Sequence, residues 1–195
     1  MNLKLLFTIT GIILTFASFG IYYHDMFKGI TKPHMFTWLL WTSLTSIAFA
    51  GQLAGGGGAG SYITGVTALT SLGVLVFAIF HGEKTRTFLD WASLILALIA
   101  IGLWLATGSP LWAVIMVTSA DVLAYVPTLR KSFSRPNEET LSSYVIAFFK
   151  FGLGVVALEH FSVTTWLYPG ALMIMSLILS GLLIWRRKAI SEQVD

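Results

Sequence analysis

The sequence predicts an all-α integral membrane protein with seven transmembrane helices, and three observations carry that expectation. Of its 195 residues, 56% are hydrophobic and only 11% are charged, against about a quarter charged in soluble domains. Mean hydropathy is +0.81. A soluble domain of this size would need a far more polar exterior to hide so much apolar surface. Turn residues interrupt the apolar sequence about every twenty positions, close to the length a helix needs to cross a bilayer. The positive charges then sort to one side of those crossings.

Composition also excludes other classes. The hydrophobic content removes disorder and coiled coil. The absence of Cys removes thiolate metal sites, Cys nucleophiles and a disulfide scaffold. Seven spans consume about 140 residues, leaving roughly 55 for loops and tails. The net charge of +3 is a topology signal in such a chain, and no nucleic-acid partner is expected.

The spans are taken in order. Leu5–Tyr23 is the first, read as a retained helix rather than a cleaved signal, because cleavage would leave Lys28 and Lys32 outside. Thr31-Lys32-Pro33-His34 separates it from Met35–Ala54, and the run Gly55 to Gly60 separates that from Tyr62–His81. Gly82-Glu83-Lys84 precedes Phe88–Ala106, and Gly108-Ser109-Pro110 precedes Leu111–Leu129. Arg135-Pro136-Asn137 precedes Leu141–His160, and the short break His160-Phe161-Ser162 precedes Val163–Trp185. With loops assigned alternately to two faces, one face receives Lys4. The other receives Lys28, Lys32, Lys84, Arg86, Arg130, Lys131, Arg135, Arg186, Arg187 and Lys188. The positive-inside rule then places the chain in a plasma (inner) membrane with the N-terminus outside and the C-terminus cytoplasmic.

A shift that lays Leu5 on Leu111 superposes spans 1–3 on spans 5–7 without a gap. Ile9 meets Ile115, Phe27 meets Phe133, Tyr62 meets Tyr168, and Thr15 meets Asp121. Equivalent helices are offset by four spans, an even number, so the copies run parallel. The expected organisation is a three-helix repeat at residues 1–87, a linker helix at 88–108 and a second three-helix repeat at 109–195. Parallel repeats about an axis along the membrane normal are a transporter plan.

This 3+1+3 layout with an external N-terminus resembles the SWEET and PQ-loop superfamily. That family carries a Pro-Gln pair near the cytoplasmic end of the first helix of each copy. Here Pro127-Thr128 stands at that place in span 5, followed by Lys131-Ser132, Glu139 and Ser142-Ser143, whereas span 1 has Ile21-Tyr22. The chain also resembles a group of bacterial membrane proteins that share the stretches found here at Pro33 to Trp38 and Leu167 to Pro169. The resemblance implies movement of small solutes, in some relatives coupled to protons, with Pro127 and Thr128 as a rocking hinge.

Ionisable residues at membrane depth are costly and mark functional candidates. Asp121 lies about 12 Å, and Lys150 about 13–14 Å, from the cytoplasmic ends of spans 5 and 6, at 1.5 Å per residue. Equal depth suggests an ion pair between the two spans, for which a substrate or proton competes or which only fixes register, and the third reading is that Lys150 snorkels or faces water alone. Spacing of three and four adds Thr118, Tyr125 and Thr128 to the Asp121 face, and Thr15 is its repeat equivalent. Lys150 shares a small-residue stripe with Ser143, Ala147 and Gly154, which reads mainly as close packing. In span 2, Trp38, Trp41, Thr42, Thr45, Phe49 and Gln52 share one face. Trp38 reads as an interfacial anchor, and Trp41, Thr42 and Thr45 as a wall for a polar or ring-shaped solute. Thr67, Thr70 and Ser176 lie at similar depth. Asp90 with Arg86 reads as a surface pair, and Ala54 to Gly60, without the Lys-Ser/Thr of a phosphate loop, as a flexible connector with a gate hinge as the second reading.

The four His, at 24, 34, 81 and 160, have no metal-ligand spacing, and no hydrolase or metal motif is present. No cofactor and no enzymatic activity are expected. The leading expectation is a small polar solute transporter working by alternating access. Its partners are the lipid bilayer, a sugar, nucleoside or amino acid, and a proton where transport is coupled. It would act as a monomer or a homo-oligomer. A non-transporting receptor or assembly protein on the same fold is the alternative, with a membrane enzyme behind it.

Overall fold

The computed structural model describes residues 3–29, 33–83, 88–134 and 136–191. The side chains at positions 89, 90, 93, 96, 97, 100, 126, 127, 130, 131, 138 and 191 are outside that description. The Arg86–Asp90 pair and the side chain of Pro127 therefore fall outside the described residues. The described chain is all-helical. Its α-helices are α1 (Leu3–Phe27), α2 (Met35–Ala54), α3 (Ser61–His81), α4 (Phe88–Thr107), α5 (Pro110–Ser134), α6 (Leu141–Val156) and α7 (Val163–Ser191).

Apolar runs dictate these helices, and the ends follow local chemistry. Pro110 opens α5 at a first-turn position, where its missing N–H costs nothing. The Nδ1 atom of His34 accepts from the N–H of Thr37 and caps α2. Helices α1, α5 and α7 run past the expected spans because polar and charged residues near an interface continue a helix readily. The backbone of α5 stays helical through position 127 to Ser134. Helix α6 stops at Val156, short of the expected His160, because the next residues form a tight connection: the N–H of Ala157 bonds back to Leu153, and that of Glu159 donates to the carbonyl of Gly57 at 3.0 Å.

Among the described residues, three helical segments, Leu3–Phe27, Gly58–His81 and Val163–Ile190, are long and apolar enough to cross a membrane. The distribution of burial agrees. Leu69, Phe80, Leu98, Leu105 and Leu177 are exposed, while Thr8, Thr15, Gln52, Ser61, Thr165 and Ser176 are buried. Soluble monomers do not expose apolar surface on this scale, but lipid accepts it.

The helices pack in two groups of the same internal order. Helix α3 packs against both α1 and α2, and α7 packs against both α5 and α6. The groups meet where α1 lies on α6 and α2 lies on α5, while α4 covers α5 and α2 from outside. The larger apolar core sits at this junction and includes Leu44, Ala48, Val114, Val117, Phe151 and Leu172.

One end of the junction is closed at backbone level. A Cβ on Gly60 would stand 2.6 Å from the nitrogen of Leu158 and 2.8 Å from the carbonyl carbon of Ala157. Such approaches admit only glycine. Lys4 Nζ donates to the carbonyl of Leu158 at 2.7 Å, and the N–H of Ala59 donates to Glu159 Oε1 at 3.3 Å. The glycine-rich run is thus a packed seam, which corrects the expectation of a flexible connector.

A proline makes the remaining tie at this end. Pro169 lies inside α7 and has no N–H, so the carbonyl of Thr165 loses its helical donor. Gln52 of α2, fully buried, donates its Nε2 to that carbonyl at 2.8 Å.

Candidate functional site

A cavity of about 210 Å³ lies between the two groups. Asp121, Lys150, Trp41, Thr45 and Tyr125 all line it, which brings together five of the residues singled out from the sequence. Each arrives from a different constraint. Asp121 and Tyr125 are one turn apart on α5, Trp41 and Thr45 one turn apart on α2, and Lys150 sits near the middle of α6.

The two ionisable residues do not meet. Asp121 is 4% exposed and its Oδ2 accepts from the Tyr168 hydroxyl at 2.8 Å. Lys150 is 6% exposed and its Nζ donates to Thr67 Oγ1 at 3.4 Å. The ammonium also lies 4.8 Å from the ring centre of Phe151 and 5.6 Å from that of Phe19, within cation–π range. No ion pair joins Asp121 to Lys150, which overturns the expected pairing. The reason is the order of helices. Helix α7 packs on both α5 and α6 and supplies Tyr168 to Asp121, while α6 turns Lys150 toward Thr67 of α3. Equal depth along two helices says nothing about the direction in which each side chain points.

Three candidates are buried but do not line the cavity. Thr15 and Thr118 donate to the carbonyls of Gly11 and Val114, one turn back in their own helices. Thr42 is 9% exposed, with no hydrogen-bond partner for its hydroxyl. Thr128 is partly exposed and also lies off the cavity. Thr45 lines the wall while its hydroxyl donates to the carbonyl of Trp41. Of the residues at similar depth, Thr67 lines the cavity, whereas Thr70 bonds within α3 and Ser176 is buried off the cavity wall.

The α2 face divides three ways. Trp38, read as an anchor, is instead 6% exposed and donates its indole N–H to Tyr22 Oη at 3.1 Å. It lines the cavity beside Trp41, whose ring it meets edge-on. Trp41 is the more exposed of the two, at 44%. Phe49 packs on Gly65 of α3, and Gln52 forms the tie to Thr165. On α6, Ser143 and Ala147 line the cavity, Ala147 also packs on the apolar core, and Gly154 packs closely against Ile63 and Gly60.

Tyr168 is the residue that sequence reasoning passed over. It was visible only as a repeat partner of Tyr62 and in the Leu-Tyr-Pro stretch. Its available signal was a phenol next to a mid-helix proline, in a chain where a buried carboxylate needs a donor.

A second cavity of about 520 Å³ shares Phe19, Trp38, Trp41, Ser143 and Tyr144 with the first. It continues to Asp25, Glu139 and Thr140, where α1 finishes and α6 begins. At that end Arg187 holds the carbonyls of Pro136 and Glu139, and Tyr144 Oη donates to Glu139 Oε2. The two cavities thus adjoin, the second lying toward the end where α1 finishes and α6 begins, away from the close contacts at Gly57 and Gly60. Among the described residues, no three His, Asp or Glu side chains stand together as metal ligands would. Compared with protein-family models, curated proteins and solved structures, the chain finds no match.

Proposed function

We propose that the protein is a small-solute transporter working by alternating access between two parallel three-helix bundles, α1–α3 and α5–α7, with α4 as linker. The observation that carries this reading is the shared cavity: Asp121 and Lys150, the ionisable residues deepest in the helices, both line it between the groups. All seven helices then cross the membrane, with the Lys4 end outside and the Arg186-Arg187-Lys188 end cytoplasmic. The equivalent packing of α3 and α7 within their groups supports the repeat, and such repeats place their sites at the interface between them.

In that frame the molecule faces inward. Solute reaches the inner cavity past Glu139 and Ser143, while the Gly57–Glu159 and Gly60–Leu158 contacts close the outside. Rocking one bundle against the other would part this seam and close the cytoplasmic opening. Pro127 and Thr128 belong to the cytoplasmic third of α5, where the bundle would bend.

Uptake into proteoliposomes tests the proposal directly. Labelled sugars, nucleosides and amino acids are offered under an imposed pH gradient. Time-dependent accumulation that is lost in Lys150→Gln is expected, and proton linkage would be abolished by Asp121→Asn. Binding without accumulation would identify a receptor instead. Failure to bind or move any member of the panel would count against a solute site.

A further inference from the structure

We infer that the solute is a zwitterion of amino-acid size with an apolar or aromatic side group, bound with its carboxylate toward Lys150 and its ammonium toward Asp121. The inference rests on the reading of the inner cavity as a solute site. It starts from the two buried charges that the fold keeps apart. A buried charge without a counter-charge is costly, and charges in protein interiors are normally paired. Asp121 and Lys150 line one cavity, yet among the described residues Asp121 is met by the hydroxyl of Tyr168 and Lys150 by the hydroxyl of Thr67 and the rings of Phe19 and Phe151, with no counter-charge on either.

Their hydrogen-bonding capacity is largely unspent. An ammonium has three donors and a carboxylate about four acceptor sites. Each group here has one protein hydrogen bond, and that of Lys150 is long at 3.4 Å. A solute with one positive and one negative end satisfies both groups and leaves the site neutral. A sugar or nucleoside would provide neither countercharge, and a simple amine or acid would leave one buried charge unpaired.

Size and wall chemistry narrow the choice. The cavity of about 210 Å³ is small. Drug-sized ligands occupy pockets of about 300–1,000 Å³. Apart from the charged groups, the wall is dominated by rings and aliphatics, including Phe19, Trp38, Trp41, Phe151 and Leu172. That surface suits an apolar side group rather than a third charge.

Binding to the full-length protein in nanodiscs tests this with L-leucine, L-tryptophan, tryptophanamide, indolepropionate, glucose and uridine. The two amino acids should bind, and tryptophanamide and indolepropionate should each bind at least about tenfold more weakly than tryptophan. Lys150→Gln should erase the preference over the amide while keeping that over indolepropionate, and Asp121→Asn should do the reverse. The analogue series on the unmodified protein stands even where a variant fails to fold. Equal affinity for tryptophan and either analogue, or no binding of leucine and tryptophan up to about 10 mM, overturns the inference. Uptake of glucose or uridine without amino-acid binding would sink the zwitterion and leave a transporter. Amino-acid binding without uptake would do the opposite.

Discussion

The two three-helix groups share a packing order but differ in what they place at equivalent positions. Where α5 carries Asp121, α1 carries Thr15, whose hydroxyl is spent on its own helix. Where α6 carries Lys150, α2 carries Leu44, buried in the apolar core. Where α7 buries Tyr168 against Asp121, α3 leaves Tyr62 half exposed. One frame therefore serves two purposes. The second group supplies both charges and the phenol that meets Asp121, while the first supplies aromatic wall and the hydroxyl of Thr67 that meets Lys150. A shared packing order does not require the same side-chain chemistry at matched positions.

Substitutions at matched positions can break this comparison. The largest effect is expected at the seam between the groups. Gly60→Val puts a branched side chain against the backbone of α6 and its connection, and overpacking of this kind costs about 1–3 kcal/mol or more. Thermal unfolding in detergent should register a clear loss of stability. Gly20→Ala, where nothing lies within 4 Å of an added Cβ, should be neutral or slightly stabilising. Equal losses at both glycines would mean that the seam is not close-packed.

The tyrosine pair is next. Tyr168→Phe removes the donor to the Asp121 carboxylate, at a cost of about 1–3 kcal/mol for a buried group left unsatisfied. Tyr62→Phe should cost nothing measurable. A chemical-denaturation comparison of the two variants would show whether the groups differ as described.

The proline tie predicts a rescue. Gln52→Met should cost about 1 kcal/mol through loss of the bond to Thr165. Adding Pro169→Ala returns an N–H to the helix at the position that can serve that carbonyl. The double variant should therefore recover part of the loss, and a strictly additive loss would contradict the tie.

The smallest effects belong to Thr15→Val and Thr118→Val, expected within about 0.5 kcal/mol because both hydroxyls bond only to their own helices. Solute uptake should be unaffected in both. A pronounced uptake defect in either would return these positions to the solute path.

The legibility of the sequence was uneven for identifiable reasons. Helix positions followed from apolar runs and turn residues, and even α2, rich in Thr and Trp, begins and ends where expected. Helix ends were harder at α1, α5, α6 and α7, because polarity marks the edge of an apolar run rather than the end of backbone hydrogen bonding. Asp121 and Lys150 stood out as cavity residues because charge within an apolar run is scarce. Phe19, Ser71, Tyr144 and Phe151 also line the cavity, but their residue types occur as readily at lipid or core positions. The Asp121–Lys150 pair failed because depth can be counted along a chain, whereas the rotation of a helix about its axis depends on its neighbours.

The carbonyl freed by Pro169 bears on how freely such a molecule could interconvert. Gln52 is the donor it holds while the seam is shut. Were the two groups to separate as the proposed transport requires, a water molecule entering there would take the same lone pair with nearly equal enthalpy. Opening that end then exchanges one donor for another instead of stranding a buried acceptor. Under the proposed transport, a latch of this kind would close in register without locking and would leave the balance between the two faces of the cycle to the ligand in the cavity.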